Sequence, residues 1–173
     1  MIYTIQNEFL TVRVEDLGAQ LSSIQAPDGT EYLWQGDPDI WARRAPILFP
    51  FIARLRENTY CLDGQPYAIS THGFARDMVF SLADQGEDHI SLQLTDTPET
   101  RKVYPFSFSL TVTYTLEGNR LKKCHRVENR SDKDMYYELG AHDGFRAPVE
   151  PGVPMSSWSI RLPGVERVQF YGM

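Results

Sequence analysis

The sequence has 173 residues, of which 42% are hydrophobic and 23% charged, and its net charge is −6 at pH 7. This is an ordinary globular composition, and an acidic chain lacks the positive field needed for general nucleic-acid binding or adhesion to an anionic membrane. No stretch approaches the roughly 20 apolar residues of a transmembrane helix, and the first residues do not resemble a secretory signal, so we expect a cytoplasmic protein. A small polar substrate fits this composition.

Short segments that alternate between apolar and polar residues predict β-strands along most of the chain. The first is LTVRV at 10–14, and ISLQL at 90–94 repeats the pattern. The clearest is FSFSLTVTYTL at 106–116, where every even position is apolar or aromatic and every odd one is Ser or Thr. Asp63-Gly64, between two short runs, predicts a tight hairpin because such a turn requires positive φ.

Helical patterns are scarce. The segment RRAPILFPFI at 43–52 holds two prolines, which would interrupt a helix, so it predicts an irregular or extended buried segment. Near the C-terminus, SWSIRL at 157–162 predicts another strand. The sequence therefore predicts an all-β fold of many short strands. Its open sheet edges need covering, and a homo-oligomer is one arrangement that would cover them.

Two of the four histidines lie beside glycine where a hairpin or strand ends: His72 in THGFARD and His142 in ELGAHDGF. Small neighbours let a ligand approach the backbone closely. His89 lies in a charged turn and His125 on a strand, which indicates structural roles for both. A metal site built from His72, His142 and a carboxylate or Cys124 would lack HxH or HExxH spacing, so we predict no metal, and no cofactor motif occurs.

The arginines allow two interpretations. Arg43, Arg44, Arg54 and Arg76 are either surface charges or groups that bind two hydroxyl oxygens or an anion through the planar guanidinium fork.

Four segments together resemble the aldose 1-epimerase, or galactose-mutarotase-like, family. They are YLWQGDPDIWARRAPILFPFIARLRENTY, CLDGQPYAISTHGFARDMVF, VYPFSFSLTVTYTLEGNRL and ELGAHDGF, in the family's order. The resemblance implies a large antiparallel β-supersandwich and an enzyme that interconverts the α and β anomers of free sugars without a cofactor. It implies a monosaccharide as the partner.

The resemblance also implies residue roles. His142 matches the acid histidine, and His72 matches the histidine that helps hold the sugar near its ring oxygen. These two are the predicted catalytic residues. Arg54 matches a sugar-binding arginine, and Arg54 and Arg76 are the predicted substrate-binding residues. For Arg76 a second interpretation stays open, in which it only pairs with Asp77 or another acid to fix its loop. Histidine suits the acid role because its usual pKa lies near neutral pH.

Two departures from the family pattern bear on the chemistry. Asp143 follows the acid histidine where relatives commonly have proline, and a carboxylate there is expected to favour the protonated ring or rotate it. Relatives are also much longer, and their glutamate base lies in a part that this sequence lacks. We therefore expect residues 1–173 to form a single mutarotase-like β-sandwich domain that is incomplete at its C-terminal side. The glutamates without a place in the family's motif are Glu138, Glu150 and Glu166.

Two other functions stay open. One is a non-catalytic sugar-binding module that keeps His72 and Arg54 without a base. The other is a hexose-6-phosphate 1-epimerase in which Arg43, Arg44 or Arg76 binds the phosphate. HGFAR occurs in relatives of the second kind as well, so the motif does not separate these functions.

Overall fold

The computed structural model describes residues 1–161, 163, 164 and 167. This part of the chain forms eleven β-strands, one short α-helix and three 3-10 segments. The strands are β1 Ile2–Gln6, β2 Thr11–Glu15, β3 Leu21–Gln25, β4 Ile47–Leu48, β5 Thr59–Leu62, β6 Gln65–Ala68, β7 Ser81–Gln85, β8 His89–Thr95, β9 Phe108–Glu117, β10 Arg120–Asn129 and β11 Gly140–Ala141. The helix α1 is Pro98–Val103, and the 3-10 segments are Arg56–Asn58, Ala75–Asp77 and Met155–Ser157.

The named strands pair only in antiparallel fashion. One sheet has the order β1–β2–β3 and a second has the order β10–β9–β8–β7. The strands β5 and β6 form a hairpin, and β4 pairs with β11. This confirms the prediction of an all-β, antiparallel fold. Within the described residues, no helix has the length and apolar character to cross a membrane.

The strand β9 shows why alternation was informative. Its apolar side chains are buried, and its Ser and Thr side chains lie on the opposite face of the sheet, where Thr113 Oγ1 is 2.9 Å from Oγ of its cross-strand neighbour Ser91. Full burial of one large apolar side chain contributes about 1.5–3 kcal/mol, so this face stabilises the sheet. The Tyr114 hydroxyl reaches across the core and donates to the Ala19 carbonyl at 2.8 Å, and burial raises the pKa of that phenol.

The predicted turn between β5 and β6 is present, with Asp63 at φ 51° and Gly64 at φ 78°. The helix α1 was not predicted because six residues are too few for helical periodicity. Thr97 followed by Pro98 was a usable signal, because an N-cap threonine and a proline at the first helical position are typical of a helix start. In the structure, the Thr97 side chain accepts from Thr100 N–H and the Thr100 hydroxyl accepts from Thr97 N–H.

The predicted strand at 157–162 is wrong. Ser157 closes a 3-10 segment, and residues 158–161 form no strand, while Leu162 lies outside the described residues. The apolar residues of this segment are not buried, since Trp158 is 40% exposed and Ile160 92% exposed. Alternation predicts a strand only where a partner strand and a core face exist, and this segment contacts neither within the described chain.

Candidate functional site

A central segment, residues 46–53, joins the two histidine-bearing loops. On one side, Phe49 C=O accepts from Phe74 N–H at 3.0 Å and from Ala75 N–H at 3.2 Å. On the other, β4 pairs with β11, and His142 N–H donates to Pro46 C=O at 3.0 Å. The segment overlaps the predicted proline-containing run at 43–52, and most of it is buried. It places the HGFAR loop and the GAHDGF segment on either side of one piece of backbone.

The His72 ring is fixed by the central segment. Its Nδ1 lies 2.9 Å from the Ala53 N–H, and the backbone N–H of His72 donates to Ala53 C=O at 2.9 Å. A backbone N–H can only donate, so Nδ1 must be the unprotonated acceptor. In the neutral ring the proton is therefore on Nε2, which is a hydrogen-bond donor.

The surroundings of His72 favour this neutral form. Burial lowers the pKa of His72, and the positive charges of Arg76, His142 and Arg43 lower it further. His72 and His142 are each bonded to the central segment, His72 at Ala53 and His142 at Pro46. At neutral pH the site therefore holds a neutral His72 with Nε2–H available to a ligand oxygen.

The lowered pKa of His72 predicts a pH dependence of stability. We expect the free energy of unfolding to fall as the pH drops below about 6.5, because the unfolded state then binds a proton that the folded ring resists. Above about pH 6.5 the His72 ring is neutral in both the folded and the unfolded state, and it no longer lowers the free energy of unfolding. His72→Asn should reduce this dependence, since its amide oxygen can still accept from Ala53 N–H and asparagine tolerates φ near 67°. Urea unfolding of both chains between about pH 5 and pH 7.5 measures the difference.

His125 and His89 also contribute to the pH dependence, with opposite signs, because burial lowers the pKa of His125 and Asp88 raises that of His89. Both residues are present in the wild type and in the variant, so their effects cancel in the comparison. Equal pH dependences of the two chains would contradict the assignment to His72.

His142 is exposed, and its ring packs against Trp41 with 4.9 Å between ring centroids and 47° between planes. Asp143 was expected to favour the protonated His142 ring or to rotate it, but its carboxylate forms no hydrogen bond or ion pair with that ring. The Asp143 carboxylate instead bonds to Lys123 Nζ at 2.8 Å, in a pair whose side chains are only 23% and 12% exposed. The half-buried ammonium is a stronger partner for the carboxylate than an exposed ring.

The predicted arginines differ in their contacts. Arg54 is exposed, its side chain forms no hydrogen bond or ion pair with a described residue, and it directly follows the Ala53 that binds His72. Arg76 is mostly buried, donates from Nη2 to Thr71 C=O at 2.8 Å and lies 3.4 Å from Asp77. Arg54 is therefore available to a ligand, whereas Arg76 holds its own loop.

The other two arginines also have acidic partners. Arg43 Nη2 lies 2.8 Å from Asp77 Oδ1, so one carboxylate bridges Arg43 and Arg76. Arg44 Nη1 lies 3.5 Å from Glu15 Oε1.

The candidate bases are not placed at the histidines. Glu138 Oε2 accepts from Ile52 N–H at 2.7 Å, Glu150 is exposed, and Glu166 lies outside the described residues. Among the described residues, no carboxylate forms a hydrogen bond or ion pair with His72 or His142, and no group of three or more potential ligands is placed to bind a metal.

A sequence profile described as Aldose 1-epimerase matches residues 1–164, which is most of the chain. The chain belongs to the aldose 1-epimerase family. The chromosomal and plasmid LacX proteins of Lactococcus lactis subsp. lactis are each 37% identical to it over 172 residues. Each match covers 96% of this chain and 58% of the LacX protein.

Solved structures agree with the family assignment. A galactose mutarotase related enzyme from Lactobacillus acidophilus is 39% identical with a TM-score of 0.87, over 89% of this chain and 52% of that protein. A galactose mutarotase-like protein from Lactobacillus casei ATCC 334 is 36% identical with a TM-score of 0.82, over 84% of this chain and 50% of that protein. The fold is thus galactose-mutarotase-like, as predicted, and the chain spans about half the length of these relatives.

Two contacts in this member of the aldose 1-epimerase family were not predicted. Ala53 fixes the His72 tautomer through backbone groups, which leave no trace in residue type. Trp41 packs on His142 from about 100 residues away in sequence, and the abundance of aromatic residues in any β core hides such a residue.

Proposed function

We propose that this chain binds a monosaccharide and supplies the acid side of an aldose 1-epimerase site. The observation that carries the proposal is the hydrogen bond from Ala53 N–H to His72 Nδ1. It leaves a neutral Nε2–H donor that has no hydrogen-bond partner among the described residues. The loop that carries this donor is bonded to the same central segment as His142 and lies next to Arg54. Such an arrangement suits a ligand rich in hydroxyl oxygens.

In the proposed reaction, a base removes the proton of the anomeric hydroxyl while His142, as imidazolium, gives a proton to the ring oxygen. The bond between the anomeric carbon and the ring oxygen breaks, and its electron pair forms the new O–H bond. The anomeric carbon becomes an aldehyde carbon. Rotation about its bond to the next carbon, followed by the reverse steps, closes the ring as the other anomer.

The other residues have binding or structural roles in this proposal. His72 donates from Nε2 to a sugar oxygen near the ring oxygen, and exposed Arg54 donates to sugar hydroxyls. We assign Arg76 to holding the loop, because its contacts with Thr71 and Asp77 already engage it. Of the two arginines predicted from sequence to bind substrate, this proposal keeps Arg54 and gives Arg76 a structural role.

Among the described residues, no carboxylate forms a hydrogen bond or ion pair with His72 or His142. This favours a second candidate, a sugar-binding module without catalysis. The hexose 6-phosphate alternative has less support, because Arg43, Arg44 and Arg76 each contact a carboxylate already. Sugar binding is common to all three candidates. Proton transfer separates the two epimerases from the sugar-binding module, and dependence of binding on the phosphate separates the hexose-6-phosphate 1-epimerase from the other two.

An added carboxylate tests the acid role directly. We expect the 173-residue chain to bind free glucose or galactose. We also expect the rate of anomer exchange to rise more steeply with acetate concentration when the chain is present than in buffer alone. The reason is that a diffusing carboxylate can act as the general base while His142 supplies the proton. NMR exchange spectroscopy with ¹³C-labelled sugar measures exchange, and chemical-shift titration measures binding.

The matched variant is His72→Asn, which keeps the bond to Ala53 and removes the Nε2–H donor. We expect it to weaken binding roughly 3- to 10-fold, the effect of one neutral hydrogen bond. Absence of sugar binding would overturn the proposal. Binding with no acetate-dependent exchange would favour the non-catalytic module, and affinity that requires the 6-phosphate would favour the phosphate alternative. Fast exchange without acetate would place a base within the chain.

A further inference from the structure

The backbone of Trp41 is held on both sides by hydrogen bonds. Its N–H donates to Asp37 C=O at 2.7 Å, and its carbonyl accepts from the Trp34 indole Nε1–H at 2.7 Å. The residue is half-buried although it belongs to no strand or helix. Because both of its backbone groups form hydrogen bonds, the Cα of Trp41 has a defined position.

The indole lies directly against the segment that carries His142. A Cβ at Gly144 would lie 2.8 Å from Trp41 Cζ3 and 3.1 Å from Trp34 Cβ, so only glycine leaves room for this packing. Gly144 N–H donates to Arg44 C=O at 2.8 Å, and its carbonyl accepts from Trp34 N–H at 2.9 Å. The glycine after His142-Asp143 is therefore explained by the close approach of the Trp41 indole and the Trp34 Cβ.

The imidazole of His142 has few other restraints. The ring is exposed and forms no hydrogen bond with any described residue, whereas its centroid lies 4.9 Å from that of Trp41. Backbone contacts place the Cα of His142, but they do not set the rotation of its side chain. The Trp41 indole is the aromatic group in contact with that ring.

We propose that Trp41 is a positioning residue that holds the His142 ring in one orientation. The role deepens the proposed function, on which it rests, because a proton donor must point at the ring oxygen to act. Trp41 itself handles no proton. A misplacement of about 1 Å in a reacting group costs about 10²-fold in rate, so loss of this contact should reduce proton transfer more than binding.

The first test does not depend on activity. Histidine-ring NMR spectra are recorded for the wild type and for Trp41→Leu, Trp41→Phe and Trp158→Leu, with His142 assigned by its absence in His142→Asn. We expect nuclear Overhauser contacts between the indole and imidazole protons in the wild type. Trp41→Leu should move the His142 signals and leave those of His89 and His125 in place, which also shows that the variant is folded.

Trp158→Leu is the matched control, since it removes an indole that is 40% exposed and has no described contact with His142. It should leave the His142 signals unchanged, and Trp41→Phe should retain ring contacts. Unchanged His142 signals in Trp41→Leu, or absence of the wild-type contacts, would overturn the proposal. If Trp41→Leu does not fold, the wild-type contacts and Trp41→Phe decide.

The second test uses acetate-dependent anomer exchange. Trp41→Leu should lower the protein-dependent rate by up to about 10²-fold with unchanged sugar affinity, and Trp41→Phe should restore most of it. Full exchange by Trp41→Leu would overturn the positioning role. A wild type that neither binds sugar nor accelerates exchange would instead overturn the proposed function, and the NMR spectra would still decide whether Trp41 holds the ring.

Discussion

Replacing His142 with asparagine is expected to remove the protein-dependent part of anomer exchange and to leave monosaccharide binding nearly unchanged. An amide cannot deliver a proton to the sugar ring oxygen, and a positioned general acid is worth roughly 10²–10⁴-fold in rate. The fold should tolerate the change, because the ring is exposed and the bond to Pro46 uses only the backbone N–H of residue 142. Acetate-dependent NMR exchange measures the rate.

His89→Asn is the matched control for this prediction. His89 lies at the start of β8, where its ring contacts Asp88 at 2.9 Å and Asp84 at 3.2 Å, so the control removes a histidine that has a structural environment. Exchange and binding should equal those of the wild type. An undiminished exchange rate in His142→Asn would show that His142 is not the acid.

Replacing Gly73 with alanine is expected to destabilise the chain by at least about 3 kcal/mol. Gly73 has φ 72°, and an added Cβ would lie 2.1 Å from Phe49 O and 2.5 Å from Phe49 C. These are backbone atoms of the central segment, so relief requires the HGFAR loop to move away from it. Thermal unfolding measures the loss, which corresponds to a melting temperature about 6–12 °C lower for a chain of this size.

Gly64→Ala separates steric overlap from backbone strain. Gly64 has φ 78°, but a Cβ added at this position would have no neighbouring atom within 4 Å. Only the left-handed conformation therefore costs energy, about 1–2 kcal/mol. If Gly73→Ala costs no more than Gly64→Ala, the close approach to Phe49 is not what requires glycine in the HGFAR loop.

Local patterns in the sequence were enough to predict several elements of the fold. The alternation in 106–116 predicted β9 because a strand buries every second side chain, a property of the strand itself. Asp63-Gly64 predicted the hairpin because positive φ depends on the residues in the turn. The assignment of His72, Arg54 and His142 to one site came from a family resemblance and not from any local pattern, and it stays a prediction.

Other features depend on residues that are distant in sequence. SWSIRL alternates as well as a true strand does, but no described strand pairs with it. Asp143 is adjacent to His142 in sequence, yet its carboxylate binds Lys123 on β10. Residues that are adjacent in sequence share a stretch of backbone, but their side chains can contact different partners.

The residue types therefore determined which groups this protein has for chemistry, and the periodicity determined that it folds from β-strands. The tertiary structure decided the state of those groups. His72 is a neutral Nε2–H donor because Ala53, 19 residues away, offers its N–H. Arg76 is engaged because Asp77 and Thr71 bind it in the folded loop. Protonation and orientation depend on burial and on contacts across the chain, which exist only once the backbone has folded.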